Sequence, residues 1–276
     1  MAIREPSTYT AFGMKAEAES LLPGLHIVAT PIGNLKDVSF RALGTLAAAD
    51  AVFAEDTRVS RKLLAHYGIT TPLIAYHEHN AAEMRPKILA RLQEGQALAL
   101  ISDAGTPLVS DPGYKLVEAV LAEGFTVVPV PGPSAVLAAL VAAGLPTDRF
   151  FFEGFLPPKS TARRERLSAL SSIPATLVFF ESPHRLVEML HDAHEILGDR
   201  SAAVARELTK LYETVRRGTL SALFAAFESA PRPKGEIVVL IGAPIDSVHD
   251  QRKDADLDHR LKLHLSHLSV NCLLYT

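Results

Sequence analysis

The sequence contains no tryptophan and a single cysteine, Cys272. One thiol cannot form an internal disulfide or a cysteine metal cluster, which fits a reducing cytoplasm and gives secretion no support. Positive charge is not in surplus either, since 28 Lys and Arg stand against 31 Asp and Glu for a net charge of −3. That balance excludes a protein that grips nucleic acid by bulk charge, so any such contact must be local. The longest uncharged helical candidate, 134–145, lies between Pro133 and Pro146 and is too short to cross a bilayer. The first 24 residues carry Arg4, Glu5, Lys15, Glu17 and Glu19 without a continuous apolar core, so 1–24 reads as an N-terminal tail rather than a signal peptide.

What is present is ordinary globular material. Of 276 residues 48% are hydrophobic and 21% charged, and at about 150 residues per domain the length gives roughly two domains with a sizeable buried core. From Leu25 onward short apolar runs alternate with longer helical stretches. This pattern demands crossover connections and predicts an α/β protein whose first sheet is largely parallel. Strands are expected at 25–30, 51–55, 73–77, 97–102 and 126–130. Asp111-Pro112 and Ser182-Pro183 each set an N-cap acceptor before a proline at the first helical position, and Gly124 and Gly198 supply the stops.

After Pro146 the pattern restarts, with strands expected at 149–155, 176–181, 202–208, 212–220 and 235–242. The short gap before 212–220 allows antiparallel pairing and hence a mixed second sheet. The expected organisation is an N-terminal α/β domain over 25–147, a C-terminal α/β domain over 148–243, and a linker with a short helical tail over 244–276. That tail is patterned on Leu257, Leu261, Leu265 and Leu268.

Three loops follow strands and carry small or stiff residues. The loop Thr30-Pro31-Ile32-Gly33-Asn34 suits a tight turn near a ligand, but its lone glycine is not the G-x-G-x-x-G that cradles a dinucleotide pyrophosphate. The stretch 102–113, SDAGTPLVSDPG, admits a ligand near backbone amides and offers Asp103 and Thr106 as polar contacts. Pro131-Gly132-Pro133-Ser134-Ala135 is the third, with Ser134 able to cap the next helix or meet a ligand. Any one of them alone reads equally well as an ordinary turn.

Together with TPIGNLKDVSFRAL, AEDTRVSRKLL, YHEHN, FEGFLPPK, ESPHRL, RELTKLYET and KGEIVVL, these loops carry a resemblance that spans about 25–242. The chain resembles the ribosomal small-subunit RNA ribose methyltransferase branch of the tetrapyrrole methylase superfamily. The resemblance implies two α/β domains with S-adenosylmethionine in the cleft between them, and a homodimer. It implies cofactor contacts from Pro31, Asp103, Ala104, Gly105, Thr106, Val109, Ser134 and Ala135 in the first half. In the second half it implies Phe180, Glu181, Ser182, Glu207, Leu208, Gly235 and Glu236.

Tetrapyrrole-modifying relatives carry a more glycine-rich first loop, a pattern that Pro31 and Asn34 break. The expected reaction is therefore methyl transfer to the ribose 2′-oxygen of a cytidine in small-subunit rRNA, on naked rRNA or the assembled 30S subunit. A porphyrinoid C-methyltransferase is the alternative, and a cofactor-binding protein without catalysis a third reading.

Methyl transfer from a sulfonium needs alignment and no metal in principle, although a ribose hydroxyl gains from a group that takes its proton. Glu55, Asp56, His77 and His79 are candidates for that role, and Asp56, Arg58, His79 and Asn80 are assigned to the acceptor side. The carboxylates of 55–58 equally suit a helix N-terminus, and the H-x-H of His77 and His79 lacks an obvious third metal ligand. Lys159, Arg163, Arg164 and Arg166 form a local basic patch suited to phosphate, or else a solvated surface. Phe155 beside it either stacks a base or fills the domain interface.

Overall fold

The computed structural model describes residues 7–244 of the chain. Cys272 and the leucines expected to pattern a terminal helix lie outside the described residues. The chain starts with a hairpin, β1 (Thr8–Ala11) and β2 (Met14–Glu17), paired antiparallel with Thr8 opposite Glu17. A tail was expected here. Tyr9, Ala11, Ala18 and Leu21 instead pack on the core of the first half. Sparse apolar residues suffice because the helix beneath supplies the rest of the hydrophobic surface.

The first sheet is built from β3 (Gly24–Val28), β4 (Ala51–Ala54), β5 (Leu73–Ala75), β6 (Ala97–Ile101) and β7 (Val127–Val130). Their spatial order is β5-β4-β6-β3-β7, with every pair parallel. The connecting helices are α1 (Phe40–Ala48), α2 (Thr57–His66), α3 (Ala81–Gln93) and α4 (Tyr114–Ala122). Strand alternation sends Val52, Ala54, Ala99 and Ile101 to the face covered by α1 and α2. Ala51, Phe53, Leu98 and Leu100 face α3 and α4. Burying one such leucine contributes about 1.5–3 kcal/mol.

Because α1 and α2 lie on one face and α3 and α4 on the other, the loops leaving the adjacent strands β3 and β6 diverge. This is a topological switch point, where open α/β sheets bind ligands beyond their carboxyl ends.

The chain continues through α5 (Ala135–Ala143), β8 (Phe150–Phe155), α6 (Ser160–Leu170), β9 (Thr176–Glu181), α7 (Leu186–Leu197), β10 (Ser201–Arg206), β11 (Thr214–Thr219), α8 (Leu220–Glu228) and β12 (Ile237–Ile241). The second sheet runs β11-β10-β12-β9-β8, with β8 and β9 parallel and the other pairs antiparallel, the mixed sheet expected. Helices α6, α7 and α8 cover one face through Leu167, Leu186, Met189, Leu190 and Leu223. The other face is covered by α5, whose Val136, Ala139, Leu140 and Ala143 meet Val178, Ala203, Ala205 and Leu240. Thus α5 packs on the second sheet although it precedes Pro146.

All ten expected strands form, with ends displaced by at most two residues. Two helix starts differ from expectation. Helix α4 begins at Tyr114 behind Gly113 (φ 133°), with no side-chain cap from Asp111. Helix α7 begins at Leu186, because Ser182 opens a turn instead, its carbonyl accepting from the Arg185 N–H at 3.1 Å. Among the described residues no helix is long and apolar enough to cross a membrane, and no cluster of His, Cys, Asp or Glu fits a metal ion.

Candidate functional site

A cavity of about 360 Å³ opens at the switch point, walled by both sheets. Its first-half wall is the loop from β6 to α4, which is tied to the loop after β3 by backbone bonds. Thr30 N–H donates to the Gly105 carbonyl at 2.8 Å and Gly105 N–H returns to Thr30 at 3.0 Å. Thr106 Oγ1 donates to the Pro133 carbonyl at 3.3 Å, joining this loop to the one that opens α5. Ser134 caps α5, its Oγ accepting from Leu137 N–H at 3.4 Å. Leu108 (φ 72°) and Ser110 (φ 65°) hold left-handed backbone that non-glycine residues adopt at some energetic expense, here on either side of the lining residue Val109.

The second half contributes the ends of β9 and β10 and the approach to β12. Glu207 also has a positive φ, 53°, and its side-chain carboxyl lies against Gly235. Gly235 has φ 95°, which favours glycine, and a Cβ there would lie 2.2 Å from Glu207 Cδ and displace that side chain. Lys210 Nζ donates to Glu207 Oε1 at 2.8 Å and to Glu236 Oε2 at 2.7 Å. The Glu207 carboxyl is held below its usual range mainly by the Lys210 hydrogen bond.

Most residues expected to meet the cofactor line this cavity: Ala104, Gly105, Thr106, Val109, Ser134, Ala135, Phe180, Glu181, Ser182, Leu208, Gly235 and Glu236. Pro31, Asp103 and Glu207 are not among the lining residues. Sequence reasoning missed Ile32, Asp111, Val136, Pro183, Ala205, Ile237 and Val238, which also line it. Asp111 carries a signal that was read as a helix cap. Its carboxyl instead turns to the cavity beside Ser102, and burial, helped by Asp103, raises its pKa against the Ser102 hydrogen bond. Phe155 lines the cavity too, edge-on to Phe180 with ring centroids 5.6 Å apart.

Glu181 is 3% exposed, and burial raises its pKa despite the Ser182 N–H at 2.7 Å and the Arg185 guanidinium at 3.2 Å. Among the described residues the acidic ones lining the cavity are thus Asp111, Glu181 and Glu236, and no lysine or arginine lines it.

The residues expected to serve the acceptor lie outside the cavity wall, at the carboxyl ends of β4 and β5. Asp56 caps α2, and both its oxygens receive hydrogen bonds from Arg58, which hold its pKa at about 2. Its N–H donates to Asp103 Oδ1 at 2.9 Å, linking this edge to the cavity loop. Asn80 begins α3, with Oδ1 accepting from His77 N–H at 2.8 Å and Nδ2 donating to the Ala75 carbonyl at 3.0 Å. His79 is exposed and lies edge-on to His77 at 6.0 Å. Glu55 is raised mainly by burial and further by Asp111 and Asp103.

The basic patch expected from sequence is largely neutralised. Arg163 is 1% exposed and donates to Asp192 Oδ2 at 2.7 Å, so it cannot reach a phosphate. Arg164 meets the other Asp192 oxygen at 3.2 Å, and Arg166 forms a bidentate pair with Glu153 at 2.5 and 2.7 Å. The i, i+3 spacing that gathered these cations in sequence turns Arg163 into the core of α6 and α7. Lys159 remains exposed at the helix start.

A fold with a switch-point cavity closed by a second mixed sheet defines a class, and comparison with known proteins specifies it. The family model Tetrapyrrole (Corrin/Porphyrin) Methylases matches residues 24–223; the chain belongs to this family and is a methyltransferase. Within the family it is similar to the ribosomal RNA small subunit methyltransferase I of Mesorhizobium japonicum, 59% identical over 87% of this chain and 81% of the relative. The protein of the same name from Xylella fastidiosa is 54% identical over 81% of this chain and 83% of the relative. Among solved structures, a cobalt precorrin-4 methyltransferase of cobalamin biosynthesis shares the fold, with a TM-score of 0.58 and 21% identity over 79% of this chain and 94% of that one.

Proposed function

We propose that the protein transfers a methyl group from S-adenosylmethionine to the ribose 2′-oxygen of a cytidine in small-subunit rRNA, acting in the cytoplasm as a homodimer. The names of the relatives support the rRNA acceptor. The observation that carries the cofactor is the character of the cavity, apolar apart from a few polar groups, with no lysine or arginine in its lining among the described residues and with Asp111 as a lining carboxyl outside any ion pair there. Such a lining suits a ligand bearing a sulfonium and an ammonium, and disfavours a nucleotide triphosphate, whose charge calls for cations or a glycine cradle.

When bound, the cofactor supplies an electrophilic methyl group on a good leaving group. Thr106, Ala104, Ser134 and Leu208 orient it by shape, and Glu181 and Asp111 place carboxyl oxygens in the wall of its site. In-line alignment supplies much of the acceleration. A proton leaving the acceptor hydroxyl is better held on a carboxyl oxygen of Glu55 or Asp111 than on Asp56. Burial raises the first two, whereas Arg58 keeps Asp56 a weak base. On this reading Asp56, Arg58, His79 and Asn80 shape the acceptor side without touching the cofactor.

The test is a methyl-acceptor assay with 30S subunits, naked small-subunit rRNA and a porphyrinoid, each with labelled cofactor. The expected result is label on a cytidine 2′-oxygen. Label on the porphyrinoid, with none on either RNA substrate, would overturn the proposal.

A further inference from the structure

The structure replaces the neutralised patch of 159–166 with a different cationic surface. Two loops form the second-half lip of the cavity. One runs from β9 to α7 and contributes Pro183 to the lining, followed at once by exposed His184. The other runs from α8 to β12 and contributes Gly235, immediately after Lys234. Arg232 ties the loops together, its Nη1 lying 2.8 Å from His184 Nδ1. A guanidinium only donates, so Nδ1 is the acceptor and the imidazole proton sits on the outward Nε2.

Among the described residues neither Arg232 nor Lys234 forms an ion pair with a carboxylate. Glu236, two residues from Lys234 in sequence, is bound by Lys210, which also binds Glu207. Arg206 donates to the carbonyls of Lys234 and Tyr212 and to Thr214 Oγ1, which ties the Lys234 loop to the end of β10. Pro231 and Pro233 flank Arg232 and restrict the backbone that carries it, which lowers the entropy lost on binding.

We propose that Arg232 and Lys234, with the Nε2–H of His184, form a binding site for backbone phosphates of single-stranded rRNA, holding the nucleotides beside the one methylated at the cavity mouth. This rests on the rRNA reading given above. It resolves how a chain of net charge −3 holds RNA, since a local group of cations without carboxylate partners serves where total charge does not. Single-stranded rRNA fits better than duplex because the two loops sit at the rim of a concave site that one extruded nucleotide enters.

The test is the double variant R232Q/K234Q of the full chain, assayed on 30S subunits and by salt titration of binding to naked small-subunit rRNA, with cofactor affinity measured by calorimetry. Losing two phosphate contacts is expected to weaken RNA binding about twentyfold at roughly 0.1 M salt and to flatten the logarithmic salt slope by about 1.4. KM for the RNA substrate should rise while kcat and cofactor affinity stay unchanged, and R232K/K234R should restore binding. Unchanged KM and salt slope in a variant of an enzyme that methylates 30S overturns the site alone. Loss of cofactor affinity also overturns it, by placing these cations in the cofactor site. A parent protein that methylates neither rRNA nor 30S overturns the rRNA reading, and the site with it.

Discussion

The second half of the molecule holds two short basic segments, 159–166 and 232–234, that differ in what their charges face. In the first, α6 turns Arg163 inward against Asp192 of α7, and Ser160 and Arg164 complete the set around that one carboxylate. In the second, Arg232 and Lys234 stand on a proline-flanked loop at the cavity lip without carboxylate partners among the described residues. A cation's place in sequence does not tell whether it is available to a ligand; the element that carries it does. The same opposition recurs in the first half, where the oxygens of Asp56 are occupied by Arg58 while Asp111 faces the cavity.

Removing the carboxylate at the centre of the closed segment is the sharpest way to break this contrast. Asp192→Ala leaves buried Arg163 with only the exposed Glu188 carboxylate, 3.5 Å away, as counter-charge and is expected to destabilise the fold by about 3 kcal/mol, read as a shift in the denaturation midpoint. Burial is the largest influence on Asp192 and raises its pKa, but hydrogen bonds from Arg163, Ser160 and Arg164 together leave it below the usual aspartate value. Its stabilisation is therefore present above the unfolded pKa of about 3.9 and is lost as pH falls through the depressed folded value. The parent should lose this increment on acidification below about pH 4, and the variant should lack it. Equal stabilities of parent and variant at pH 7 would mean that the network is not closed.

Thr106→Arg tests the cavity side of the opposition. An arginine there projects into a site lined by small residues, and a steric conflict of about 1–3 kcal/mol in the complex corresponds to a roughly fivefold to hundredfold loss of cofactor affinity. Calorimetry on the folded variant should show that loss with little change in the melting temperature. Unaltered affinity would remove this loop from the cofactor site.

A smaller effect is expected where a side chain is already engaged. Asp56→Ala deletes the cap of α2, whose Oδ1 accepts from Arg58 N–H at 2.8 Å, and should lower the denaturation midpoint slightly. Asp56→Asn keeps a capping oxygen and should recover most of that. If Asp56 also shapes the acceptor side, both variants retain cofactor affinity and lose methyl transfer at saturating cofactor. Full turnover in both would reduce the residue to a cap.

The strands were legible in the sequence because each is a short apolar run bounded by turn residues, and burial on a sheet flanked by helices enforces that pattern. The small-residue loops were legible for a related reason, since 102–113 and 131–135 combine Gly, Pro and Ser after strands. The hairpin of 8–17 was not legible, as its apolar residues gain their meaning only against the first half's core. Asp111 and Ser182 were misread because a residue before proline suits a helix cap and a cavity turn alike. Arg163 was misread for want of its partner, since Asp192 lies 29 positions away and only the packing of α6 on α7 brings them together.

The weakest expected effect closes the comparison. Arg166 pairs with Glu153 on the surface, its side chain 44% exposed, and such pairs contribute about 0–1 kcal/mol. Arg166→Gln combined with Lys159→Gln should therefore leave stability within that range. Because Glu153 already compensates Arg166, only Lys159 is left to meet a phosphate, and the salt slope for RNA binding should flatten by no more than about 0.7. The expected order is thus a larger slope change for the pair at the cavity lip than for this pair on α6. The reverse order, measured on the same RNA at the same salt concentrations, would return the RNA site to α6. It would also show that Arg166 exchanges Glu153 for phosphate on binding, and that an ion pair in the free protein does not by itself withdraw a cation from use.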